Sequence, residues 1–258
     1  MAKIYTTEIT SENIPSDNPI HQRLYKAYVA SLPYIHGRVL EVGCGEGRGV
    51  EVLLQRADRF TAVDKIGNAL EALRTRFPEG KFIQMDLPPL HGLADDSYDC
   101  VVSFQVIEHI KADAFFLREI HRVLKPGGLA LITTPNRRMS ISRNPWHVRE
   151  YLPGELKELA ASIFREVQLK GITGNERVMD YYAQNRKSVQ RIMRWDIFDL
   201  QHKLPSWILR LPYELLNRIN RNRLQKADSA QVSDIHHDDY AVTDNPEHAL
   251  DLFLFARK

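Results

Sequence analysis

A run of alternating glycines after a short apolar segment constrains this chain more than any other feature. Residues 38–50 read R-V-L-E-V-G-C-G-E-G-R-G-V. The apolar, partly β-branched start predicts a strand that is buried on both faces. Glycine has no Cβ, so the turn that follows lets a ligand approach the backbone. Apolar residues then resume at helical spacing. Strand, glycine turn and helix together predict a site for a nucleotide-like ligand at the start of the helix.

Strand and helix patterns alternate along the rest of the chain. After the first strand, we expect strands at 59–64, 81–86, 98–104, 129–134, 165–173 and 250–256. Helical spacing predicts helices at 19–32, 69–77, 112–124, 153–164, 180–193 and 197–223, the last with breaks at Pro205 and Pro212. This alternation is typical of a doubly wound, parallel α/β sheet, and the final strand, which no helix follows, is expected to run antiparallel.

The segment between the sixth and seventh strands is far too long for an ordinary connection. We therefore expect a helical cap at 174–248, inserted into a core that comprises residues 37–173 and the final strand at 249–258. Residues 1–36 are expected to form a mobile arm followed by a helix that covers the site. A chain of 258 residues that is 43% hydrophobic can bury a core of this size.

The cysteine count and the lengths of the apolar segments indicate the cellular compartment of the chain. Cys44 and Cys100 are its only cysteines, too few for a disulfide framework, which predicts a reducing, cytoplasmic location. We expect neither a signal peptide nor a membrane-spanning helix, because no segment has the required apolar length.

Acidic and polar side chains follow the tips of the predicted strands. Asp64 ends the second strand, Asp86 ends the third and Gln105 follows the fourth. Ligands of open α/β sheets bind beyond the carboxyl ends of the strands, and an acid about 20 residues after the first glycine can accept hydrogen bonds from a ribose. An acid in such a position often caps a helix instead. The common register of these acids with the glycine turn favours a nucleotide site.

Four consecutive segments resemble the motifs of class I S-adenosylmethionine-dependent methyltransferases. They are residues 39–49, 62–64, 98–110 and 122–136. The glycine pattern is G-x-G-x-G, whereas the dinucleotide fingerprint G-x-G-x-x-G would need a glycine at Arg48. The resemblance implies a Rossmann-like, doubly wound, mostly parallel seven-stranded sheet. It also implies methyltransferase activity with S-adenosylmethionine as the cofactor.

The resemblance implies roles for individual residues as well. The positions that match the family's cofactor-binding residues are Arg23, Glu41, Gly43, Cys44, Gly45, Gly47, Asp64, Lys65, Asp86, Leu87 and Gln105. By that match, the glycine turn lines the methionine part, Asp64 binds the ribose and Asp86 lies beside the adenine. Arg23 would reach the cofactor carboxylate from the covering helix. A solvated charge on the helix surface is an equal alternative for Arg23.

Two histidines are candidates for a general base. The methyl group of S-adenosylmethionine is already activated, so the protein must align a nucleophile and exclude water. An alcohol or phenol also needs a base. His109 follows the fourth strand and His147 follows the fifth, within N-P-W-H-V-R-E-Y, so both are expected on the cofactor side of the sheet. Alternatively, His109 begins a helix, and His147 organises its loop by pairing with Glu150.

The pair Glu108-His109 also resembles quinone-precursor O-methyltransferases, in which an acid three residues earlier completes a metal site. The corresponding residue here is Gln105, which is neutral, so we predict no metal site. The run at 236–239, H-H-D-D, is expected to be a solvated loop, because adjacent residues rarely converge on one ion.

The expected cap is basic and rich in aromatic residues. Residues 186–226 contain ten Lys and Arg but only three Asp and Glu. This composition suits a membrane surface or a lipid-linked acceptor. Packing on the sheet edge, or on a second subunit of a homodimer, is favoured over membrane contact because amphipathic surface helices are common. No nucleic-acid partner is expected, since the basic excess is confined to the cap and no N-P-P-Y follows the fourth strand.

Together these patterns predict methyl transfer from S-adenosylmethionine to a small-molecule or lipid-linked acceptor, on oxygen, by in-line displacement. T-P-N followed by N-P-W-H-V-R-E-Y also resembles a subgroup associated with bacterial surface-glycan and lipid-linked sugar pathways. Two alternatives remain: a non-catalytic protein that binds S-adenosylmethionine, and an NAD-type oxidoreductase.

Overall fold

The core is an eight-stranded sheet, seen in a computed structural model that describes residues 15–194, 203–227 and 232–258. The strands are β1 (Arg38–Val42), β2 (Arg59–Asp64), β3 (Lys81–Gln84), β4 (Tyr98–Phe104), β5 (Leu124–Pro135), β6 (Glu166–Gly174), β7 (Tyr240–Thr243) and β8 (Asp251–Arg257). Their order is β3-β2-β1-β4-β5-β8-β6-β7. β8 runs antiparallel to β5 and β6, and β7 runs antiparallel to β6. The remaining pairs from β3 to β5 are parallel, as expected.

Helices cover both faces of the sheet, which confirms the doubly wound architecture. They are α1 (Asn18–Ser31), α2 (Val50–Leu54), α3 (Gly67–Arg76), α4 (Asp113–Val123), α5 (Pro153–Ala161), α6 (Glu176–Met193) and α7 (Ser206–Ala227). Helices α1, α2, α3 and α6 pack into the apolar layer that contains Val39, whereas α4 and α5 pack into the layer that contains Leu40. Successive residues of β1 thus face opposite layers, and the strand is buried on both faces.

The sheet has one strand more than the seven expected. β7 lies at the edge of the sheet beside β6, within the segment predicted to belong to the helical cap. Tyr240 holds it there, since this buried side chain donates a hydrogen bond to the Pro19 carbonyl at 2.7 Å. This strand depends on a contact with a distant helix, which a local sequence pattern does not reveal.

Helix α7 continues through Pro212, so the predicted break there is wrong, whereas Pro205 does precede the helix. A proline inside a helix removes one backbone hydrogen bond, and tertiary contacts can outweigh that loss. Here Arg218 and Arg221 lie 3.1 and 2.9 Å from Oδ1 of the buried Asp17. Residues 1–14 of the arm expected at 1–18 lie outside the described residues, as do the expected helical residues 197–202, whereas Ser16 and Asp17 are buried directly before α1.

Helix α1 packs directly on the glycine turn that follows β1. A Cβ built on Gly49 would lie 1.8 Å from a ring carbon of Tyr28, so only glycine permits this approach. The Tyr28 hydroxyl donates a hydrogen bond to Glu41 Oε1 at 2.8 Å. The covering helix is therefore tied to the first strand beside the predicted ligand site.

We expect Gly49→Ala to lower the free energy of unfolding by about 1–3 kcal/mol, because the buried Tyr28 ring must move to admit a methyl group. Urea unfolding measures this loss. Gly154→Ala is the matched control, since Gly154 lies in the first turn of α5 and a Cβ there meets no atom within 4 Å. The control should keep or slightly raise stability. Equal losses in both variants would contradict the contact.

Candidate active site

A cavity of about 320 Å³ lies at the carboxyl ends of β1, β4 and β5. Its walls come from α1, the glycine turn, the segments after β4 and β5, and the cap helices α6 and α7. The predicted site residues in these walls are Arg23, Gly43, Cys44, Gly45, Gln105, His109 and His147. The structure thus brings both candidate bases and the glycine turn into one cavity, of a size typical for small ligands.

The other predicted residues do not line this cavity. They are Glu41, Gly47, Asp64, Lys65, Asp86 and Leu87. Lys65 and Asp86 are exposed beyond the tips of β2 and β3. The third strand was expected to end at Asp86, but it ends at Gln84. The residues predicted for the adenine therefore lie outside the walls that hold the histidines.

Asp64 braces the glycine turn. Its Oδ2 accepts a hydrogen bond from the Gly45 N–H at 2.8 Å, and its Oδ1 accepts one from the Ile66 N–H at 3.0 Å. Gly43, Gly45 and Gly47 have φ of +82°, +54° and +84°, which glycine adopts without steric cost. A Cβ on Gly45 would meet no protein atom within 4 Å. The braced turn therefore presents open backbone at Gly45.

Glu41 is buried beside the glycine turn with one oxygen unsatisfied. Its Oε1 accepts from Tyr28, whereas Oε2 has no hydrogen-bond partner among the described residues. Burial raises the pKa of Glu41 to about 7, although the Tyr28 hydrogen bond opposes that rise. An unpaired buried carboxylate is unfavourable. The position therefore suits a ligand that carries a hydrogen-bond donor or a positive charge.

Arg23 is held in the cavity wall by a buried ion pair. Its Nε lies 3.1 Å from Asp251 Oδ2, and its guanidinium carbon lies 5.5 Å from the centre of the Tyr182 ring. The side chain is only 16% exposed. Arg23 is therefore not the solvated surface charge that was one of its two sequence interpretations.

Gln105 occupies an unusual backbone conformation at the tip of β4. Its φ is +59°, a region that costs a residue with a side chain on the order of 1 kcal/mol. The backbone N–H of Gln105 donates to the Thr133 carbonyl at 2.9 Å, which helps to hold this conformation. Strain of this kind clusters at functional sites, and Gln105 lies in the cavity wall.

The two candidate bases contact each other. The ring centres of His109 and His147 are 5.0 Å apart in an edge-to-face arrangement. His109 Nδ1 lies 2.9 Å from the Trp146 carbonyl oxygen. His147 Nδ1 lies 2.7 Å from Glu150 Oε1, which is the pairing expected of a loop organiser. The contacts place the loops after β4 and β5 side by side at the cavity.

Glu108 is a buried carboxyl group beside these histidines. The Thr134 hydroxyl donates to its Oε2 at 3.1 Å, and burial raises the pKa of Glu108 to about 7 while His147 lowers it. Ligand atoms of Glu108, His109 and His147 lie within 4.8 Å of one another, so the three could hold a metal ion. The prediction of no metal site considered Gln105 as the third ligand and not His147, which comes from another loop.

A second group of metal-ligating side chains lies outside the cavity, at His236, His237 and Asp238. His236 and Asp238 are 61% and 77% exposed, as expected for a solvated loop. His237 is only 18% exposed and lies edge-on to Tyr25, with 5.3 Å between ring centres. The loop is thus anchored to α1 through one of its histidines.

Sequence reasoning missed the contribution of the cap to the cavity. The cap residues in the wall include Tyr181, Tyr182, Asn185, Tyr213, Asn217, Asn220 and Arg221. Asn220 is buried and donates to Asn185 Oδ1 at 2.6 Å, which joins α7 to α6. The available signal was the spacing of Asn217 and Asn220, which puts two amides on one helix face in a segment otherwise rich in basic and apolar residues.

Comparison with known proteins identifies the family. Residues 40–132 match the family described as a methyltransferase domain. A probable S-adenosylmethionine-dependent methyltransferase of Mycobacterium tuberculosis is 37% identical over 198 residues, which cover 73% of this chain and 72% of that protein. The chain belongs to the S-adenosylmethionine-dependent methyltransferases. An enzyme of Rickettsia akari named ubiquinone biosynthesis O-methyltransferase is 30% identical over 120 residues, which cover 45% of this methyltransferase and 47% of that enzyme.

Solved structures of other methyltransferases share the fold. One from Thermotoga maritima, described as a possible histamine N-methyltransferase, gives a TM-score of 0.57 at 16% identity and covers 93% of this chain and 92% of its own. One from Archaeoglobus fulgidus gives a TM-score of 0.54 at 18% identity and covers 92% of this chain and 94% of its own. Such identities establish the fold alone. The family establishes S-adenosylmethionine as the cofactor, which excludes the NAD-type oxidoreductase that the glycine turn had left open.

The described part of the methyltransferase has no helix that combines the length and the apolar character needed to cross a bilayer.

Replacing Glu41 with glutamine is expected to remove a pH-dependent loss of stability. Because folding raises the pKa of this carboxyl from 4.5 to about 7, its contribution is full below pH 4.5 and is lost as the pH rises towards 7. Glu41→Gln still accepts from Tyr28 but cannot ionise. Between about pH 5 and pH 8, the free energy of unfolding of the variant should rise relative to that of the wild type by up to about 3 kcal/mol, as measured by urea unfolding.

The matched control is Glu71→Gln, at an exposed carboxylate of α3. Its free energy of unfolding should differ from that of the wild type by the same small amount at every pH. Parallel pH dependences for the wild type and Glu41→Gln would show that the pKa of Glu41 is not raised by burial.

Proposed function

We propose that this methyltransferase transfers the methyl group of S-adenosylmethionine to an oxygen atom of a small-molecule or lipid-linked acceptor, with His109 as the general base. The observation that carries the proposal is the His109–His147 contact in the wall of the cavity that also contains the glycine turn. An alcohol or phenol must lose a proton as it is methylated, whereas a free amine needs no base. A paired histidine cluster at this position therefore favours an oxygen acceptor.

Two features of the site suit the cofactor. Gly45 offers open backbone in a braced turn, and Glu41 Oε2 is a buried acceptor that lacks a hydrogen-bond donor among the described residues. When bound, S-adenosylmethionine supplies a methyl group on a positively charged sulfur. The proposed cofactor-binding residues are Arg23, Glu41, Gly43, Cys44, Gly45, Gly47, Asp64, Lys65, Asp86, Leu87 and Gln105. Asp64 keeps lone pairs for a ribose, since each of its oxygens accepts one backbone hydrogen bond.

The hydrogen bond to Trp146 defines which nitrogen of His109 can take a proton. A carbonyl oxygen only accepts hydrogen bonds, so His109 Nδ1 carries the hydrogen in this contact. The lone pair of the neutral ring is then on Nε2. We assign the acceptor's proton to His109 Nε2.

His147 is proposed to be a positioning residue. Asn144 Oδ1 accepts a hydrogen bond from the Trp146 N–H at 3.0 Å, so the amide nitrogen of Asn144 is directed towards His147 Nε2 at 2.9 Å. His147 Nε2 therefore accepts, and Nδ1 donates to Glu150. With both nitrogens engaged, the ring of His147 supports that of His109.

Relatives favour oxygen over nitrogen without naming the acceptor of this enzyme. The Rickettsia akari relative is named an O-methyltransferase. The Thermotoga maritima protein is described as a possible histamine N-methyltransferase, but at 16% identity it shares the fold alone. The three tyrosines that the cap contributes to the cavity wall are compatible with either a small or a lipid-linked acceptor.

Isothermal titration is expected to show binding of S-adenosylhomocysteine and no binding of NAD⁺. Asp64→Ala should weaken the binding of S-adenosylhomocysteine by about tenfold or more. The substitution removes a charged hydrogen-bond acceptor and, with it, the hydrogen bonds that brace the glycine turn. Asp58→Ala, at an exposed acid just before β2, is the control and should leave the affinity unchanged. An affinity that survives Asp64→Ala would remove Asp64 from the proposed cofactor site.

His109→Gln is expected to reduce kcat by about 10²–10⁴-fold while S-adenosylhomocysteine still binds, since a general base contributes that much. The acidic limb of the kcat/KM profile, where the base is protonated, should disappear as well. Transfer of a labelled methyl group to phenols, alcohols and bacterial lipid extracts supplies the assay.

His147→Gln should reduce kcat less and should retain the acidic limb, because His147 only positions the base. Full activity of His109→Gln on a hydroxyl acceptor would reject the proposed base. Turnover confined to amines in both the wild type and the variant would indicate N-methylation instead. Cofactor binding without turnover on any acceptor would favour a non-catalytic role.

A further inference from the structure

Helix α7 presents different chemistry on two faces. Its side chains in the cavity wall are Tyr213, Asn217, Asn220 and Arg221, all of which carry polar groups. Ile208, Leu216 and Ile219 are instead 38%, 45% and 63% exposed. At 3.6 residues per turn, these three positions fall within an arc of about 80°. They define an exposed apolar stripe, which we call the outer face of α7.

Charge is distributed unevenly over the chain. Residues 186–226 contain ten Lys and Arg against three Asp and Glu, whereas the whole chain has a net charge of only +2. The rest of the protein is therefore net negative. Four basic residues on α6 and directly after it are all exposed, namely Arg186, Lys187, Arg191 and Arg194. A partner that is attracted by this field must be anionic, and it must approach the cap.

We propose that the outer face of α7, together with these exposed basic residues of the α6 segment, docks this methyltransferase on an anionic membrane surface. Apolar side chains of an interfacial helix enter the boundary between headgroups and acyl chains, while neighbouring cations are attracted to acidic headgroups. The cap combines both requirements. The exposed fractions of Ile208, Leu216 and Ile219 also show that these residues do not pack on the sheet edge, which was one of the two arrangements favoured from sequence, the other being a second subunit.

Other partners would account for only one of the two features, either the exposed apolar stripe or the exposed basic residues. A nucleic acid would neutralise the basic residues but would leave the apolar stripe on α7 without an apolar environment. A second copy of this chain would cover the stripe, but a symmetric contact would bring two cationic caps together. A lipid surface with acidic headgroups accommodates both.

Docking would bring the cavity close to the lipid. An α-helix with its side chains is about 10 Å across, so the cavity wall formed by α7 would lie about one helix diameter from the headgroups. This consequence rests on the proposed function, in which a lipid-linked molecule is one class of acceptor. The docking itself does not rest on it and is tested by binding alone.

Co-sedimentation of the full-length protein with unilamellar vesicles tests the proposal. Vesicles of phosphatidylcholine with about 30% phosphatidylglycerol should sediment the protein, and vesicles of phosphatidylcholine alone should sediment much less. Raised salt should reduce the difference, because the attraction is screened. Equal recovery with anionic vesicles and without vesicles would overturn the proposal.

Ile219→Asp should reduce the partition onto anionic vesicles by about tenfold or more, because it replaces an apolar group that enters the lipid with a charge. Phe115→Asp is the matched control: Phe115 is 40% exposed on α4, which packs on the opposite face of the sheet from α6. It should leave the partition unchanged. Thermal unfolding and S-adenosylhomocysteine affinity verify that both variants remain folded, and they separate this test from that of the proposed function.

Three further outcomes would overturn the proposal. One is an equal loss of vesicle binding in both variants. Another is binding of duplex DNA or RNA at the same salt without vesicle binding. The third is a dimer in analytical ultracentrifugation that Ile219→Asp dissociates, again without vesicle binding, which would assign the outer face of α7 to a second copy of the chain.

Discussion

The approach of Tyr28 to Gly49 is the contact on which the rest of the site depends. The aromatic ring occupies the space that any Cβ at position 49 would need. Because the ring lies there, its hydroxyl reaches Glu41, and α1 is fixed across the glycine turn. The same helix then carries Arg23 into the cavity wall, while Asp17, just before it, binds two arginines of α7. One missing side chain thus allows a single helix to join the sheet, the turn and the cap.

Two buried carboxyl groups lie in different parts of the site. Glu41 lies beside the glycine turn and Glu108 beside the histidines, and burial raises the pKa of each to about 7. Burial therefore disfavours the ionised form of each carboxyl group. Any positive charge that comes close favours the ionised carboxylate, so binding of a cation at either position is linked to release of a proton. Burial of these acids supplies the enzyme with sites whose charge responds to what is bound.

Local sequence patterns were sufficient for seven of the eight strands and for the turn. The buried strands are continuous apolar runs, and a glycine-rich turn between a strand and a helix is typical of nucleotide-like ligand sites. Features that depend on distant contacts were not accessible in this way. β7 is held by a hydrogen bond from Tyr240 to α1, and α7, which passes through Pro212, forms ion pairs with the distant Asp17. The third ligand candidate beside Glu108 was missed for the same reason, since His147 comes from a different loop.

The cap was ambiguous from sequence for a physical reason. A helix that packs on a core and faces water shows one apolar and one polar stripe, and that pattern reveals which face is buried. Among the described side chains of α7, the cavity face carries Tyr213, two amides and an arginine, while the outer face carries exposed Ile208, Leu216 and Ile219. These three apolar residues do not mark the protein interior. The exposure of Ile208, Leu216 and Ile219 shows that this stripe faces outwards, which the apolar pattern of the sequence alone does not reveal.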